Sequence, residues 1–302
     1  MSETTTAVAP VVTMQDYAKG AERPTWCPGC GDFSILGAIK MALVQLKLAP
    51  HEVLMVSGIG CGSKLPHYLR VNEYDSLHGR ALPVATGAKL ANHALKVIAV
   101  SGDGDGLGIG GNHLIHSMRR NPDITHVIEN NQTYGLTKGQ YSPTSDWGYI
   151  TSTSPEGCIE LAVNIVTVGL AMGASFIART SAGDVKHMTW VLAEAIKHRG
   201  YSIVDVLQPC VTFNKINTYE WYKARIYKVN DDPSYDSSNR DQVWQKAKEW
   251  GEKIPIGIIF QEKGRPTYED QVTVLKKGPL VKQPLTSPEL VNALEKLKEE
   301  FV

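Results

Sequence analysis

The sequence predicts an α/β fold: a mostly parallel sheet with helices on both faces, followed by a C-terminal extension. Short β-branched runs alternate with helix-period segments from residue 32 to residue 207, and parallel neighbours need crossovers of that length. Several of these runs end on glycines, carboxylates or carboxamides, the chemistry expected at the carboxyl ends of strands. The chain has 302 residues, of which 42% are hydrophobic, enough for one large domain with an extension.

Taken in order, residues 32–47 place Phe33, Leu36, Ile39, Leu43 and Leu46 at helical spacing. The spacing then predicts a strand over 53–56, which runs into the glycine turn of Gly58, Gly60 and Gly62. A helix is expected over 85–94, a strand over 97–100, a helix over about 110–120 and a strand over 124–128 that ends on Glu129, Asn130 and Asn131. Beyond it, 159–170 reads as helix, 175–178 as strand, 184–198 as helix and 203–206 as strand. Residues 229–240 have loop composition. Thr286, Ser287, Pro288 and Glu289 form a helix start of the capping-box kind, with Leu290, Leu294, Leu297 and Phe301 on one side of the helix that follows. The organisation expected is a polar leader over 1–20, a main domain over 21–210 and a packed extension over 211–302.

Thirty-one Lys and Arg balance thirty-one Asp and Glu, so there is no support for a nucleic-acid partner bound through a large basic surface. The first ten residues lack the basic start and apolar segment of a signal peptide, and no later apolar run reaches the ~18 residues of a membrane span. A cytoplasmic location is expected. Five cysteines in a reducing compartment favour metal or redox chemistry over disulfides.

Gly102, Asp103, Gly104, Asp105 and Gly106 follow a strand and precede a helix, where backbone amides and the positive helix end would face an anion such as a diphosphate. Asp103 offers a hard oxygen, and Asn131 offers another at the next strand end. With a backbone carbonyl near Thr133, these suit Mg²⁺ beside phosphate oxygens. The glycines do not follow the dinucleotide pattern GxGxxG with a later acid, and no GxxxxGK[ST] loop occurs. GDG followed by NN one βαβ unit later resembles the thiamine diphosphate motif.

Cys27 and Cys30 form CxxC, Cys61 lies in GIGCGS and Cys210 in LQPC. Four thiolates suit structural zinc or an iron-sulfur cluster. Position favours the cluster, because Cys61 belongs to a loop expected to line the diphosphate crevice and Cys210 follows another strand end. Cys158 has no partner motif and reads as a small buried apolar residue.

CPGCGDF, GIGCGSK, HGRALPVATG, GDGDGLGIGGNH, NNQTYGLTKGQYSPT and QPC stand in this order, and over roughly residues 20–215 the chain resembles the β subunit of a 2-oxoacid:ferredoxin oxidoreductase. The resemblance implies thiamine diphosphate, Mg²⁺ and one [4Fe-4S] cluster, in a site that an α subunit makes whole. It implies that Cys27, Cys30, Cys61 and Cys210 ligate the cluster and that Asp103, Asn131 and the Thr133 carbonyl hold Mg²⁺. Gly102, Gly104 and Asp105 would line the diphosphate, and Tyr134, Gly135, Leu136 and Thr137 would pass beside the thiazolium ring. Gly60, Gly62, Ser63, His78 and Gly79 fall within the family's cofactor motifs. The implied reaction is oxidative decarboxylation of a 2-oxo acid, with coenzyme A taking the acyl group and ferredoxin the electrons, reversible by a ferredoxin of sufficiently low potential. No motif supplies the glutamate that thiamine enzymes set against the aminopyrimidine, so the α subunit is expected to provide it.

Lys138 stands in TKGQ, where pyruvate-preferring relatives commonly have glycine. A cation there could pair with a distal carboxylate, so 2-oxoglutarate is the expected substrate over pyruvate. The rival readings are a pyruvate-type member of the family, a non-redox thiamine decarboxylase subunit whose cysteines bind zinc, and a scaffold subunit that binds diphosphate only for stability.

Overall fold

The computed structural model describes residues 11–284 and 286–301. The first ten residues of the expected leader lie outside that range. Among the described residues the helices are α1 (Met14–Ala18), α2 (Asp32–Gln45), α3 (Ala81–Ala91), α4 (Gly111–Arg120), α5 (Ile165–Met172), α6 (Val185–Lys197), α7 (Tyr219–Lys223), α8 (Arg240–Ala247), α9 (Tyr268–Gln271) and α10 (Pro288–Glu299). The strands are β1 (Val53–Ser57), β2 (Asn72–Asp75), β3 (Lys96–Gly102), β4 (Ile124–Asn130), β5 (Thr133–Tyr134), β6 (Gln140–Tyr141), β7 (Phe176–Ser181), β8 (Ser202–Leu207), β9 (Ile226–Lys228) and β10 (Ile254–Gln261).

β2-β1-β3-β4-β8-β7-β10-β9 is the order of the main sheet. Its first six strands run parallel, while β10 joins β7 antiparallel and β9 pairs parallel to β10. The fold is therefore α/β with a mostly parallel sheet, as the alternation of elements predicts. The chain leaves β1 outward to β2 and returns on the opposite side to β3, so the order reverses at β1 and a crevice opens beyond the carboxyl ends of β1 and β3.

Central strands buried on both faces read as continuous apolar runs, and all seven residues of β4 are buried. One face packs Ile35, Ile39 and Leu43 of α2 and Val191, Leu192 and Ile196 of α6 against Ile98, Val100, Val127 and Val204. The other packs Ala85, Leu114, Met118, Leu170 and Val243 against Val97, Ala99, Ile128 and Ile203. Side chains alternate along β3, so both layers share one set of strands.

Several helix limits follow from their caps. Helix α2 stops at Gln45 because Lys47 turns left-handed, φ 56°, and α4 stops before left-handed Asn121. Asp184 caps α6 by accepting from the His187 amide at 3.0 Å. The helix expected over 159–170 begins only at Ile165, because Asn164 caps there with its side chain on the Val166 and Thr167 amides; Ile159 and Leu161 lie exposed before it. Similarly, α3 starts at Ala81 and ends at Ala91, earlier than the expected 85–94. Two strands of the region after 211, β9 and β10, extend the main sheet, and the edge strand β2 has exposed polar side chains without an apolar face to mark it. Ser287 caps α10 by accepting from the Leu290 amide, and the apolar side of that helix is exposed.

Candidate active site

Asp103 stands where β3 gives way to a π-helical turn, Gly104–Ile109, that leads into α4. Such turns are rare in helices and frequent at functional sites. Its carboxylate is almost wholly buried and accepts from Ser142 Oγ and Thr144 Oγ1 at 2.5 Å each. Burial pushes Asp103 up to about 6, against those hydrogen bonds, which pull it down. An ionised Asp103 is thus a buried charge offset by hydroxyl and backbone hydrogen bonds.

A cavity of about 70 Å³ opens beside it, lined by Gly60, Cys61, Gly62, His78, Gly102, Asp103, Gly104, Asp105, Asn131, Thr133, Tyr134, Gly135, Leu136 and Thr137, together with Ile59 and Glu129. Loops after β1, β3 and β4 therefore converge as the strand order requires. Asn131 Oδ1 accepts from the Thr133 amide at 3.1 Å, which holds it at the cavity wall. A methyl group on Gly104 would lie 2.3 Å from the Tyr134 ring, whose hydroxyl donates to the Gly104 carbonyl at 2.9 Å. That glycine lets the aromatic ring close over the turn.

Of the residues expected around the thiamine cofactor and substrate, three do not line this cavity. The Gly79 amide donates to Asp105 Oδ1 at 2.6 Å, and its backbone, φ 70°, packs against Ile109 and Gly110. The hydroxyl of Ser63 is buried nearby without a hydrogen-bond partner. Lys138 is exposed at the tip of the β5–β6 hairpin, at φ 78°. Asp105 does line the cavity, yet its Oδ1 also accepts from the Ile59 amide at 3.1 Å and lies 2.8 Å from His78 Nδ1. Its carboxylate thus ties together the loops that carry Ile59, His78 and Gly79.

A second cavity, of about 210 Å³, is lined by Cys27, Cys30, Cys61 and Cys210, with Trp26, Lys64 and Gln208 among its other walls. The chain brings together four sulfurs from three remote stretches, and none is in a disulfide. Among the described residues no three His, Cys, Asp or Glu side chains meet closely enough to hold a single metal ion; the thiols surround a space. A methyl on Gly135 would sit 3.6 Å from Cys210 Sγ and 3.7 Å from Cys61 Sγ. Burial first, then Asp32, raises Cys61 to about 11 and drives Cys30 higher still, so both are protonated thiols here.

The two cavities share a wall. Cys61, Asn131, Gly135 and Leu136 line both. Gln208 braces it, accepting from Asn131 Nδ2 at 3.1 Å and donating to Cys30 Sγ at 3.3 Å. Sequence reasoning missed Gln208, the Ser142 and Thr144 hydroxyls on Asp103, and Glu129. Serine and threonine in YSPTS were the signal for the hydroxyls. Glu129 lies against Gly62, where a methyl would meet Oε2 at 1.6 Å, and beside buried Asp32; burial first, then Asp32, holds its carboxyl well above the usual carboxylate range. Only the tertiary fold joins residues 32 and 129.

Deep glycine turns at the switch point, a buried aspartate and a facing asparagine define a thiamine-diphosphate-binding α/β domain. The family description "Thiamine pyrophosphate enzyme, C-terminal TPP binding domain" matches residues 58–206, and the family of C-terminal regions of the pyruvate ferredoxin oxidoreductase beta subunit matches residues 210–277. The chain is 47% identical over 256 residues to a 2-oxoacid:ferredoxin oxidoreductase β subunit of Aeropyrum pernix, covering 82% of this chain and 80% of the relative. It is 40% identical to the 2-oxoglutarate synthase subunit KorB of Archaeoglobus fulgidus, covering 82% and 96%. A solved 2-oxoglutarate:ferredoxin oxidoreductase from Magnetococcus marinus, with 2-oxoglutarate, coenzyme A and succinyl-CoA bound, superposes with a TM-score of 0.86 at 35% identity, over 94% of this chain and 96% of that one. This chain belongs to the β subunits of the 2-oxoacid:ferredoxin oxidoreductase family, enzymes that also require an α subunit. No helix among the described residues is long and apolar enough to cross a membrane.

Proposed function

We propose that this β subunit, with its α subunit, converts 2-oxoglutarate and coenzyme A to succinyl-CoA and CO₂, delivering two electrons through a [4Fe-4S] cluster to ferredoxin and releasing one proton. The wall common to both cavities carries this reading, since it sets four cysteines next to the aspartate and asparagine of the thiamine motif. KorB relatives and the Magnetococcus structure favour 2-oxoglutarate, and pyruvate is the runner-up.

Thiamine diphosphate, when bound, supplies the electron sink that lets a 2-oxo acid lose CO₂. The chain's own part is to bind and orient. Asp103, fixed by two hydroxyls, Asn131 Oδ1 and the Thr133 carbonyl would hold Mg²⁺, a hard cation that takes a few protein oxygens beside phosphate. Gly102 and Gly104 leave room for the diphosphate, and Tyr134 to Thr137 border the ring. The cysteine cavity of about 210 Å³ suits the body of a cubane cluster, whereas tetrahedral zinc, with Zn–S near ~2.3 Å, draws its sulfurs to a point. Thiolate ligation there displaces the protons of Cys30 and Cys61. Ile59 and Leu136 line the thiamine cavity yet stay exposed, apolar surface that the α subunit would cover while bringing the activating glutamate. Lys138, beside the cavity residue Thr137, would reach the distal carboxylate of 2-oxoglutarate.

Copurified α and β subunits should be brown and reduce a viologen dye with 2-oxoglutarate and coenzyme A faster than with pyruvate, while β alone stays inactive. A colourless complex with stoichiometric zinc, or full turnover by β alone, overturns the reading. Lys138→Gly should raise KM for 2-oxoglutarate far more than for pyruvate; equal effects remove Lys138 from substrate choice.

A further inference from the structure

Among the described residues that wall the cysteine cavity, Lys64 alone carries a charged side chain; the rest are the four cysteines and neutral polar, apolar or glycine residues. Its place there is set by the backbone. Cys61 caps the 3₁₀ helix Gly62–Tyr68, and the Lys64 amide donates to the Cys61 carbonyl at 3.3 Å. Residues three apart eclipse one another on such a helix, so the Cys61 and Lys64 side chains leave the same side of the turn. Trp26 Nε1 donates to that same carbonyl at 2.7 Å, and Leu65, Pro66 and Tyr68 are buried beneath. The turn has little freedom to carry Lys64 away.

Lys64 is half-buried, and none of the ion pairs among the described residues includes it. Its charge already favours the Cys61 thiolate, against burial and the charge of Asp32, which favour the thiol. Asp32 and Glu129, the acids beside Cys30, are not part of the cavity wall. We propose that Lys64 is a potential-setting residue of the cysteine cavity, its charge stabilising the reduced form of the iron-sulfur cluster held there. A cluster with four thiolate ligands is anionic, and each electron it takes adds a negative charge that a fixed cation nearby makes less costly. Lys64 thus acts through the cluster and makes the electron from the thiamine site easier to accept. The proposal rests on the cluster reading of this cavity.

The test is an EPR-monitored redox titration of the copurified α/β complex and of its Lys64→Met and Lys64→Arg variants. The midpoint is read on whatever clusters assemble, so it does not depend on full iron occupancy. Methionine keeps an unbranched, flexible chain and loses the charge. The equilibrium constant for one-electron reduction should fall about tenfold, a shift of ~59 mV to lower potential. Asp32 and Glu129 stay in place in that comparison, so the difference belongs to Lys64. Arginine keeps the charge and should hold the midpoint near the wild-type value. A Lys64→Met midpoint that stays or rises, or a Lys64→Arg midpoint that falls as far as Lys64→Met, overturns the proposal. An unmoved midpoint joined to a raised KM for ferredoxin makes Lys64 a docking contact, and signal lost in Lys64→Met alone makes it part of cluster assembly; either also overturns it. No [4Fe-4S] signal in the wild-type complex overturns the cluster reading itself, and this proposal with it.

Discussion

Replacing Asp103 by Asn should stabilise the cofactor-free protein while destroying its capacity for Mg²⁺ and thiamine diphosphate. Burial raises the Asp103 carboxyl from 3.8 to about 6. At pH 8 the folded chain therefore carries an ionised group that the unfolded chain holds more cheaply, by ~3 kcal/mol. An amide removes that charge and still offers an oxygen to Ser142 and Thr144, so after a discount for imperfect replacement the gain is ~1–3 kcal/mol. The sign depends on pH. A carboxyl whose folded pKa is raised penalises folding in full above about 6 and not at all below its unfolded value of 3.8. Denaturant titrations of wild type and Asp103→Asn, both stripped of cofactor, should differ at pH 8 and converge at pH 4. Adding Mg²⁺ with thiamine diphosphate should stabilise only the wild type. If the variant is less stable at pH 8, or equally favoured at both pH values, Asp103 is not the strained anion described here.

Gly104→Ala puts a methyl 2.3 Å from the Tyr134 ring; the clash should cost ~1–3 kcal/mol and lower thiamine diphosphate retention, measured by denaturation and by cofactor content after gel filtration. Cys210→Ser should lose most iron and visible absorbance while far-UV circular dichroism stays unchanged, and retention of wild-type iron would free Cys210 from ligation. Buried His126, hydrogen-bonded to Ser101 and Tyr201 and pushed down to about 3, stays neutral in the folded chain while the unfolded chain protonates it near 6.5. Its penalty is absent above that value and grows as the pH falls toward 3. His126→Gln should therefore flatten the stability–pH slope between pH 6 and 4 by up to ~1.4 kcal/mol per pH unit; an unchanged slope would show that the ring is solvated.

Periodicity located most of the parallel core because each central strand is a short apolar run and each flanking helix keeps one apolar stripe. It failed where tertiary context replaced the local pattern. IPIGIIFQ has proline and glycine within its apolar run, which obscured β10, yet the open edge of β7 pairs with it antiparallel. Residues 159–164 keep apolar spacing but leave Ile159 and Leu161 to solvent, because Asn164 is the better helix start.

The residues of the site were legible to the extent that their chemistry is local. A glycine turn, an aspartate and a pair of asparagines can be read at strand ends, and the switch in strand order then forces them together. The support beneath them is not local. Asp103 is placed by hydroxyls some forty residues away, and Asn131 by Gln208, which also reaches Cys30. One glutamine side chain thus touches both the asparagine loop after β4 and the CxxC turn. Shortening it by Gln208→Asn should disturb both cavities at once: lower iron content and weaker thiamine diphosphate binding in the same variant. Were only one to change, the shared wall would be two independent walls that happen to adjoin, and the proposed delivery of electrons from the thiamine site to the cluster would lose its structural basis.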